Sequence, residues 1–343
     1  MFDTLVTWFQ ANKRDLPWRH TKDPYKIWVS EIMLQQTRVD TVIDYYIRFL
    51  QKFPTVQALA NADEQAVLLQ WQGLGYYSRA RNLHRGAKKV VADFGGQFPQ
   101  DLNDALSITG VGHYTAGAIL SIAYGLPFAA VDGNVLRVFT RIFDIADDIA
   151  DPKTVKKMQL LVTENIVHAN ASDYTEGLME LGATVCIPSQ PLCLICPMQG
   201  VCKAYLLGNW MERPQKTMKV KPQKVKMVFC RIQAEGKLLL VHNPDSGLLA
   251  GMWAFCGAVL THNALDCAKE IVSELGLNIM QVKKVGHARH VFTHLDWDMA
   301  VFDCFVQKAL PIERPHAWVH LEEVAQYPLP KVYQKVLALE YYC

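Results

Sequence analysis

The sequence lacks three things, and each absence narrows what the chain can be. No apolar run approaches the roughly 20 residues that cross a bilayer, so no membrane-spanning helix is expected. The first ten residues, Met1 to Gln10, hold no basic segment followed by an apolar core. They do not read as a secretory signal, and a cytoplasmic protein is expected. Net charge is also nearly absent: 35 Lys and Arg against 33 Asp and Glu give +2. Whole-chain charge therefore identifies no partner, and any anion-binding surface must come from local clusters.

Such clusters exist. Arg79, Arg81, His84, Arg85, Lys88 and Lys89 follow one another without an acid, and Lys203 to Lys226 holds seven Lys or Arg against one Glu. Runs of this kind form either a solvated face or phosphate contacts. Half of the 343 residues are hydrophobic, enough to bury the cores of two or three domains. Nine cysteines in a chain without a secretory signal point to metal rather than disulfides. Cys186, Cys193, Cys196 and Cys202 are spaced C-x6-C-x2-C-x5-C. Structural zinc usually shows two short pairs. Only one occurs here, so the spacing leans towards an iron–sulfur cluster, with zinc the alternative. Cys230, Cys256, Cys267, Cys304 and Cys343 are scattered and read as core or surface residues.

The most informative stretch runs from Ile108 to Arg137. Asp101 to Leu106 reads as a short helix, and Thr115 to Ala123 as a small, apolar, tightly packed one. Between them Gly110 and Gly112 form a tight turn. Two glycines there allow positive φ and bring backbone N–H groups to the start of the next helix. The result is either a helix-hairpin-helix able to hold a DNA phosphate or an ordinary turn. Further on, Val131-Asp132-Gly133-Asn134 delivers Asp132 to the start of another helix, Val135 to Ile142, where an Asp commonly serves as N-cap.

Upstream, Pro17 and Pro24 are expected to block helix around Asp15 to Arg19. Tyr25 to Thr37 then leads into a long amphipathic helix marked by Val39, Val42, Ile43, Tyr46 and Leu50. Glu31 stands among Trp28, Val29, Ile32 and Met33. It is either a helix-end carboxylate or a carboxyl whose pKa is raised by apolar surroundings. Leu34-Gln35-Gln36 can push into a base stack or simply pack. A helix from Asp63 to Gln72 precedes Gly73-Leu-Gly75-Tyr76-Tyr77, where an aromatic can wedge between bases or serve the core. Pro152 to Ala183 reads as helices. Gly208 to Lys226 is polar and basic, holds Pro214 and Pro222, and reads as a linker. Beyond it Val225 to Ile232, Lys237 to His242, Ala288 to Phe292 and Trp297 to Phe305 read as strands, and Ala264 to Leu275 as a helix.

Taken in order, Ser30-Glu31-Ile-Met-Leu-Gln-Gln-Thr37, Gly73-Leu-Gly-Tyr-Tyr77, Gly110-Val-Gly112, Val131-Asp-Gly-Asn134 and the four-cysteine spacing resemble the helix-hairpin-helix-Gly/Pro-Asp superfamily of DNA glycosylases. Within it the resemblance is to the A/G-specific adenine DNA glycosylases and covers nearly the whole chain. The related endonuclease III carries a Lys nucleophile just after the hairpin, where this chain has Tyr114. Lys269-Glu270-Ile-Val-Ser273-Glu274-Leu-Gly276 resembles the helix of a NUDIX domain with an incomplete set of metal carboxylates, Ser273 standing for one glutamate. The resemblance implies a multi-domain fold. An all-α glycosylase region spans 1–207, with a six-helix domain about 22–131 and an iron–sulfur cluster domain built from the N-terminal helix and about 132–207. A basic linker, 208–226, and a C-terminal α+β NUDIX-like domain, 227–343, complete it.

The resemblance further implies a monofunctional, monomeric N-glycosylase of base excision repair. It would act on duplex DNA in the nucleoid, removing adenine paired with 8-oxoguanine or guanine. One 4Fe–4S cluster would sit on Cys186, Cys193, Cys196 and Cys202. Glu31 would protonate adenine N7, and Asp132, ionised, would stabilise the positive sugar by charge or as a transient covalent partner. Tyr114 would be catalytic with them and line the adenine pocket, and Asn134 would orient water or the sugar. Arg14, Trp18, Glu176 and Met179 would line the adenine pocket. Gln36 and Tyr76 would fill or hold open the stack, and Gly110 and Gly112 would bind the DNA backbone. Phe292-Thr293-His294 would read 8-oxoguanine where the family has Phe-Ser-His. The loop Ile187 to Leu192 lacks the Lys or Arg of relatives, leaving backbone or Ser189 and Gln190 for any phosphate contact. Two other classes compete. Tyr114 in place of Lys counts against a bifunctional glycosylase/lyase, and retention of both Glu31 and Asp132 against a non-catalytic iron–sulfur DNA-binding protein.

Overall fold

Short polar residues ahead of apolar runs set where the helices begin. The computed structural model describes residues 2–166, 170–217 and 221–339; Cys343 and 218–220 of the expected linker lie outside them. After α1 (Asp3–Asn12), Asp23 caps α2 (Pro24–Leu34) by accepting from the Tyr25 N–H. α3 (Val39–Lys52) follows, and Thr55 caps α4 (Val56–Ala60). Pro17 and Pro24 do not block helix as expected. Each opens a helical turn, Pro17–His20 and α2, where the missing N–H has no partner to lose and φ is already set.

Contacts divide the chain into two compact units, Met1–Ala62 with Ser78–Met218, and Asp63–Tyr77 with Lys219–Cys343. α5 (Glu64–Trp71), capped by Asp63, therefore belongs to the second unit. The first continues with α6 (Ser78–Phe94), α7 (Leu102–Ser107, capped by Asp101), α8 (His113–Tyr124) and α9 (Gly133–Phe143). α10 (Pro152–Ile166), α11 (Ala171–Thr184, capped by Asn170) and α12 (Lys203–Leu207) complete it. α2 is buried along most of its length, between α3, α6 and α8. A Cβ on Gly86 of α6 would stand 2.8 Å from the Trp28 ring and the Thr109 carbonyl, so only glycine lets α6 lie so close. A second apolar cluster joins α1 to α9, α10 and α11 through Leu5, Phe139, Val162, Tyr174 and Leu181. Phe2 stacks on Phe139 at 5.7 Å and meets Tyr174 edge-on at 5.2 Å. The early part of the expected linker is packed: Arg213 pairs with Asp144 at 2.9 Å, and the Ile149 N–H donates to the Gln215 carbonyl. No helix among the described residues is long and apolar enough to cross a membrane.

The second unit is a mixed sheet with helices. β1 (Gln223–Ala234) turns through Glu235 and Gly236, at φ 51° and 74°, into β2 (Lys237–His242). β3 (Trp253–Ala254), β4 (Cys256–Val259) and α13 (Ala264–Glu274) follow, then β5 (Ile279–Val291), β6 (Leu295–Val306), β7 (His316–His320) and α14 (Lys331–Leu337). The order is β3-β2-β1-β6-β5, with β4 paired to β1 and β7 to β2. β1 and β6 run parallel at the centre, Gln223 opposite Leu295 through Gln233 opposite Phe305. β5 is much longer than the expected strand from Ala288. It is an edge strand with most side chains at least partly exposed, so it carries no apolar run to read.

One polar pair sits in this core. Arg231 is fully buried and directly opposite Asp303 on the β1–β6 ladder, bonded Nε to Oδ1 at 2.6 Å and Nη2 to Oδ2 at 2.8 Å. Its Nη1 donates to the carbonyls of Leu337 and Leu339, tying the end of α14 to the sheet. Removing one partner strands a buried charge. Asp303→Ala should cost about 3–5 kcal/mol in denaturant unfolding of the full chain, and Arg231→Met together with Asp303→Leu distinctly less.

Candidate active site

Three helices of the first unit bring two carboxyls to one cavity. α2 carries Glu31 inward, α8 carries Tyr114 in its first turn, and Asp132 caps α9 by accepting from the Val135 N–H at 2.7 Å. Two glycines make the approach possible. A Cβ on Gly117 would stand 2.0 Å from the Ala129 carbonyl oxygen, so the segment leading to Asp132 lies directly on α8. One on Gly182 would stand 2.6 Å from the Asn134 Cβ, so α11 meets the start of α9 there. The cavity measures about 490 Å³ and is lined by Glu31, Tyr114, Asp132 and Asn134 together with Arg14, Trp18, Glu176, Met179 and Gln36.

The two carboxyls have different surroundings. Glu31 is 5% exposed and accepts a hydrogen bond at Oε2 from Tyr114 Oη at 2.5 Å. Burial raises its pKa to about 7, and the Asp132 and Glu176 charges add to this while the Tyr114 bond works against it. Burial also pushes the Tyr114 phenol far up, so it stays a donor. Asp132 is raised by burial too, but the Val135 N–H, the Asn134 amide (Nδ2 to Oδ2, 2.9 Å) and the charge of Arg137 all favour its anion. Arg137 also reaches Asn134 Oδ1 at 2.9 Å, the Gly182 carbonyl at 2.7 Å and the Cys186 carbonyl at 2.7 Å.

Glu180 is a further residue of the site, not among those expected there. It receives Arg14 Nε at 2.8 Å and Nη2 at 2.7 Å, and Arg19 Nη2 at 2.8 Å. Burial alone would raise its carboxyl, but these bonds more than offset it and hold it at about 2. The i,i+4 spacing of Glu176 and Glu180 put both on one helix face; nothing local announced their arginines. Glu176, pushed up by burial, lies 3.5 Å from Arg19.

Other expectations divide. Gly110 takes φ 83°, and its Cβ would touch Asn82, whereas Gly112 sits at φ −97° and ψ 179°. The positive φ expected there is corrected: Gly112 is an extended N-cap of α8. Arg79 and His84 are also not on a phosphate face. Arg79 donates to the carbonyls of Ile32, Met33 and Gln35, closing the end of α2, and His84 is buried. Ser189 and Gln190 are exposed, while the Ile187 and Pro188 carbonyls accept from Arg141. In the second unit, Phe292 packs edge-on against His290 (4.5 Å) and Trp297 (4.9 Å), leaving Thr293 and His294 exposed at the β5–β6 turn.

Cys186, Cys193, Cys196 and Cys202 line one small cavity with Arg141, Tyr205 and Trp210. Burial raises the thiols of Cys193, Cys196 and Cys202, Cys196 to about 12, with neighbouring cysteines contributing. Arg141 Nη1 donates to Cys186 Sγ at 3.4 Å. Among the described residues, no group of His, Cys, Asp or Glu is arranged to hold a single metal ion.

Residues 29–164 match the HhH-GPD superfamily base excision DNA repair proteins, and residues 227–339 match the NUDIX domain. The adenine DNA glycosylase of Mus musculus is 34% identical over 98% of this chain and 76% of its own length. That of Buchnera aphidicola subsp. Schizaphis graminum is 30% identical over 98% of this chain and 97% of its own. Among solved structures, a thermostable thymine-DNA glycosylase aligns with TM-score 0.54 and 30% identity, over 60% of this chain and 94% of that one. With relatives matched over most of both lengths, this chain belongs to the adenine DNA glycosylase family.

Proposed function

We propose that the chain is a monofunctional DNA N-glycosylase of base excision repair that removes adenine facing 8-oxoguanine or guanine in duplex DNA. What supports this reading is the buried Glu31 carboxyl sharing a cavity with Asp132, burial raising its pKa to about 7. Breaking the N-glycosidic bond sends its electron pair to adenine and leaves positive charge on the sugar. Glu31, protonated, donates to adenine N7, so the base departs neutral. Asp132, ionised among the donors of Val135 and Asn134, stabilises the sugar cation until water adds at C1′, the water's proton restoring the Glu31 carboxyl. Tyr114 holds the Glu31 carboxyl in orientation. Arg14, Trp18, Glu176 and Met179 enclose the flipped base, whose extrusion costs a few kcal/mol and less at a mismatch. Gln36, Tyr76, Gly110 and Gly112 hold the opened duplex, and Phe292, Thr293 and His294 read the opposing base.

The four cysteines suit one 4Fe–4S cluster: the donor set is sulfur alone, it surrounds one cavity, and Arg141 donates to a sulfur as in tuned cluster sites. When bound, such a cluster supplies a four-point tie for the loop after α11 and no hydrolytic chemistry. Purified anaerobically, the protein should be brown, absorb broadly near about 400 nm and contain iron and sulfide. Stoichiometric zinc without iron would contradict this.

Glu31→Gln keeps the shape but removes the transferable proton. Single-turnover excision of adenine opposite 8-oxoguanine should fall by about two orders of magnitude or more. In the native chain the rate should decline as pH rises through about 7. Because the folded pKa lies above the ordinary 4.5, the fold loses stability as pH rises through about 7. Glu31→Gln should therefore be the more stable protein at pH 8, by up to about 3 kcal/mol, with no gain below the ordinary value. Replacing Phe292 and Thr293 together by Ala should shrink the preference for 8-oxoguanine over guanine with the fold intact.

A further inference from the structure

The wall of the cavity that holds Glu31 contains a second carboxylate, and this one is saturated with donors. Glu180 Oε1 accepts from the Arg14 backbone N–H at 3.0 Å and from Arg14 Nε at 2.8 Å. Oε2 accepts from Arg14 Nη2 at 2.7 Å and from Arg19 Nη2 at 2.8 Å. Those four donors match the roughly four acceptor positions of a carboxylate. The Glu180 side chain is 1% exposed and that of Arg19 9%, whereas Arg14 keeps 38% and lines the cavity. Arg19 closes the group: its Nη1 donates to the Arg14 carbonyl at 2.9 Å, and its guanidinium lies 5.2 Å from the Phe9 ring centre. Glu176, one turn earlier on α11, has looser neighbours, with Ser172 at 3.4 Å, Arg19 at 3.5 Å and Lys22 at 4.0 Å.

We infer that Glu180 is a positioning residue of base excision, acting through Arg14 and Arg19 to fix the wall that meets the flipped base. Arg14 needs such a tie. It stands in the stretch 13–16 between α1 and the Pro17–His20 turn, with no helix to order it. An untied arginine spreads over many rotamers, and ordering one only when the base arrives would draw on binding energy. A two-point bond on the Nε–Nη2 edge settles the guanidinium plane beforehand, and the same carboxylate holds the backbone N–H of that residue. Stability alone does not call for this arrangement, since apolar residues of similar volume often replace a buried ion pair without loss.

The inference rests on the base-excision reading proposed above, and the test separates the two. Full-length native chain, Glu180→Gln, Arg14→Lys and their double variant are compared. Two quantities are measured: single-turnover excision of adenine opposite 8-oxoguanine, and affinity for the same duplex carrying a 2′-fluorinated adenosine that resists cleavage. Glu180→Gln keeps the size and removes the charge; Arg14→Lys keeps the charge and removes the two-point bond. At saturating protein each should excise about tenfold more slowly or worse, with affinity for the uncleaved duplex within about twofold of native. The double variant should be no slower than the slower single one, since both break the same clamp. Loss of a purely structural carboxylate would lower rate and affinity together; that outcome, or two losses that simply multiply, overturns the inference. Should Glu180→Gln not fold, Arg14→Lys decides by the same split of rate from affinity, and a native rate there overturns the inference. A native chain that excises no adenine overturns the base-excision reading and this inference with it. Native excision with unchanged rates in both single variants overturns this inference alone.

Discussion

The site depends on the buried Glu31 carboxyl and the one hydroxyl, Tyr114, that donates to it. Burial drives the Glu31 carboxyl towards its neutral form, and the Tyr114 hydroxyl pulls in the opposite direction; the balance falls at about 7. Burial alone would make the acid too weak to release its proton. A cation in place of Tyr114 would ionise it outright. Asp132, at the same cavity, is raised by burial too, but a backbone N–H, an amide and an arginine all work against that rise. In the proposed mechanism, two carboxyls with such different neighbours divide into an acid and an anion, the arrangement that breaking a glycosidic bond requires.

That arrangement constrains the rest of the first unit. Glu31 and Asp132 can share a cavity only if α8, α9 and α11 approach more closely than side chains allow, and Gly117 and Gly182 are where they do. Arg137 then ties the start of α9 to the end of α11, touching Asn134, Gly182 and the Cys186 carbonyl. The cysteine loop is thus mechanically continuous with the residue that orients Asp132. In the second unit the equivalent organising feature is the Arg231–Asp303 pair, which locks the two parallel strands and the end of α14.

Much of this was legible because it is local. The Asp132 cap, the glycine turn before α8 and the alternation of helical and strand-like runs all follow from neighbours in sequence. The residues assigned to the adenine pocket came from resemblance, and Arg14, Trp18, Glu176 and Met179 do line one cavity with Glu31. What escaped was long-range. Glu180 gains its meaning from arginines 161 and 166 residues away. Arg79 read as a phosphate contact because nothing nearby shows that the end of α2 needs its donors. Gly112 read as a positive-φ glycine beside Gly110, but an N-cap is extended. Asp63–Tyr77 read as part of the helical half, and only tertiary contacts assign it to the sheet unit.

The protonation state of Glu31 can be observed directly. With carboxyl-¹³C-labelled glutamate, the Glu31 resonance, assigned by its absence from Glu31→Gln, can be followed against pH in the folded protein. Titration is expected near pH 7, moving higher still in Tyr114→Phe, where the opposing hydrogen bond is gone. A Glu31 carboxyl already ionised at pH 5, or one unmoved by loss of the Tyr114 hydroxyl, would contradict it.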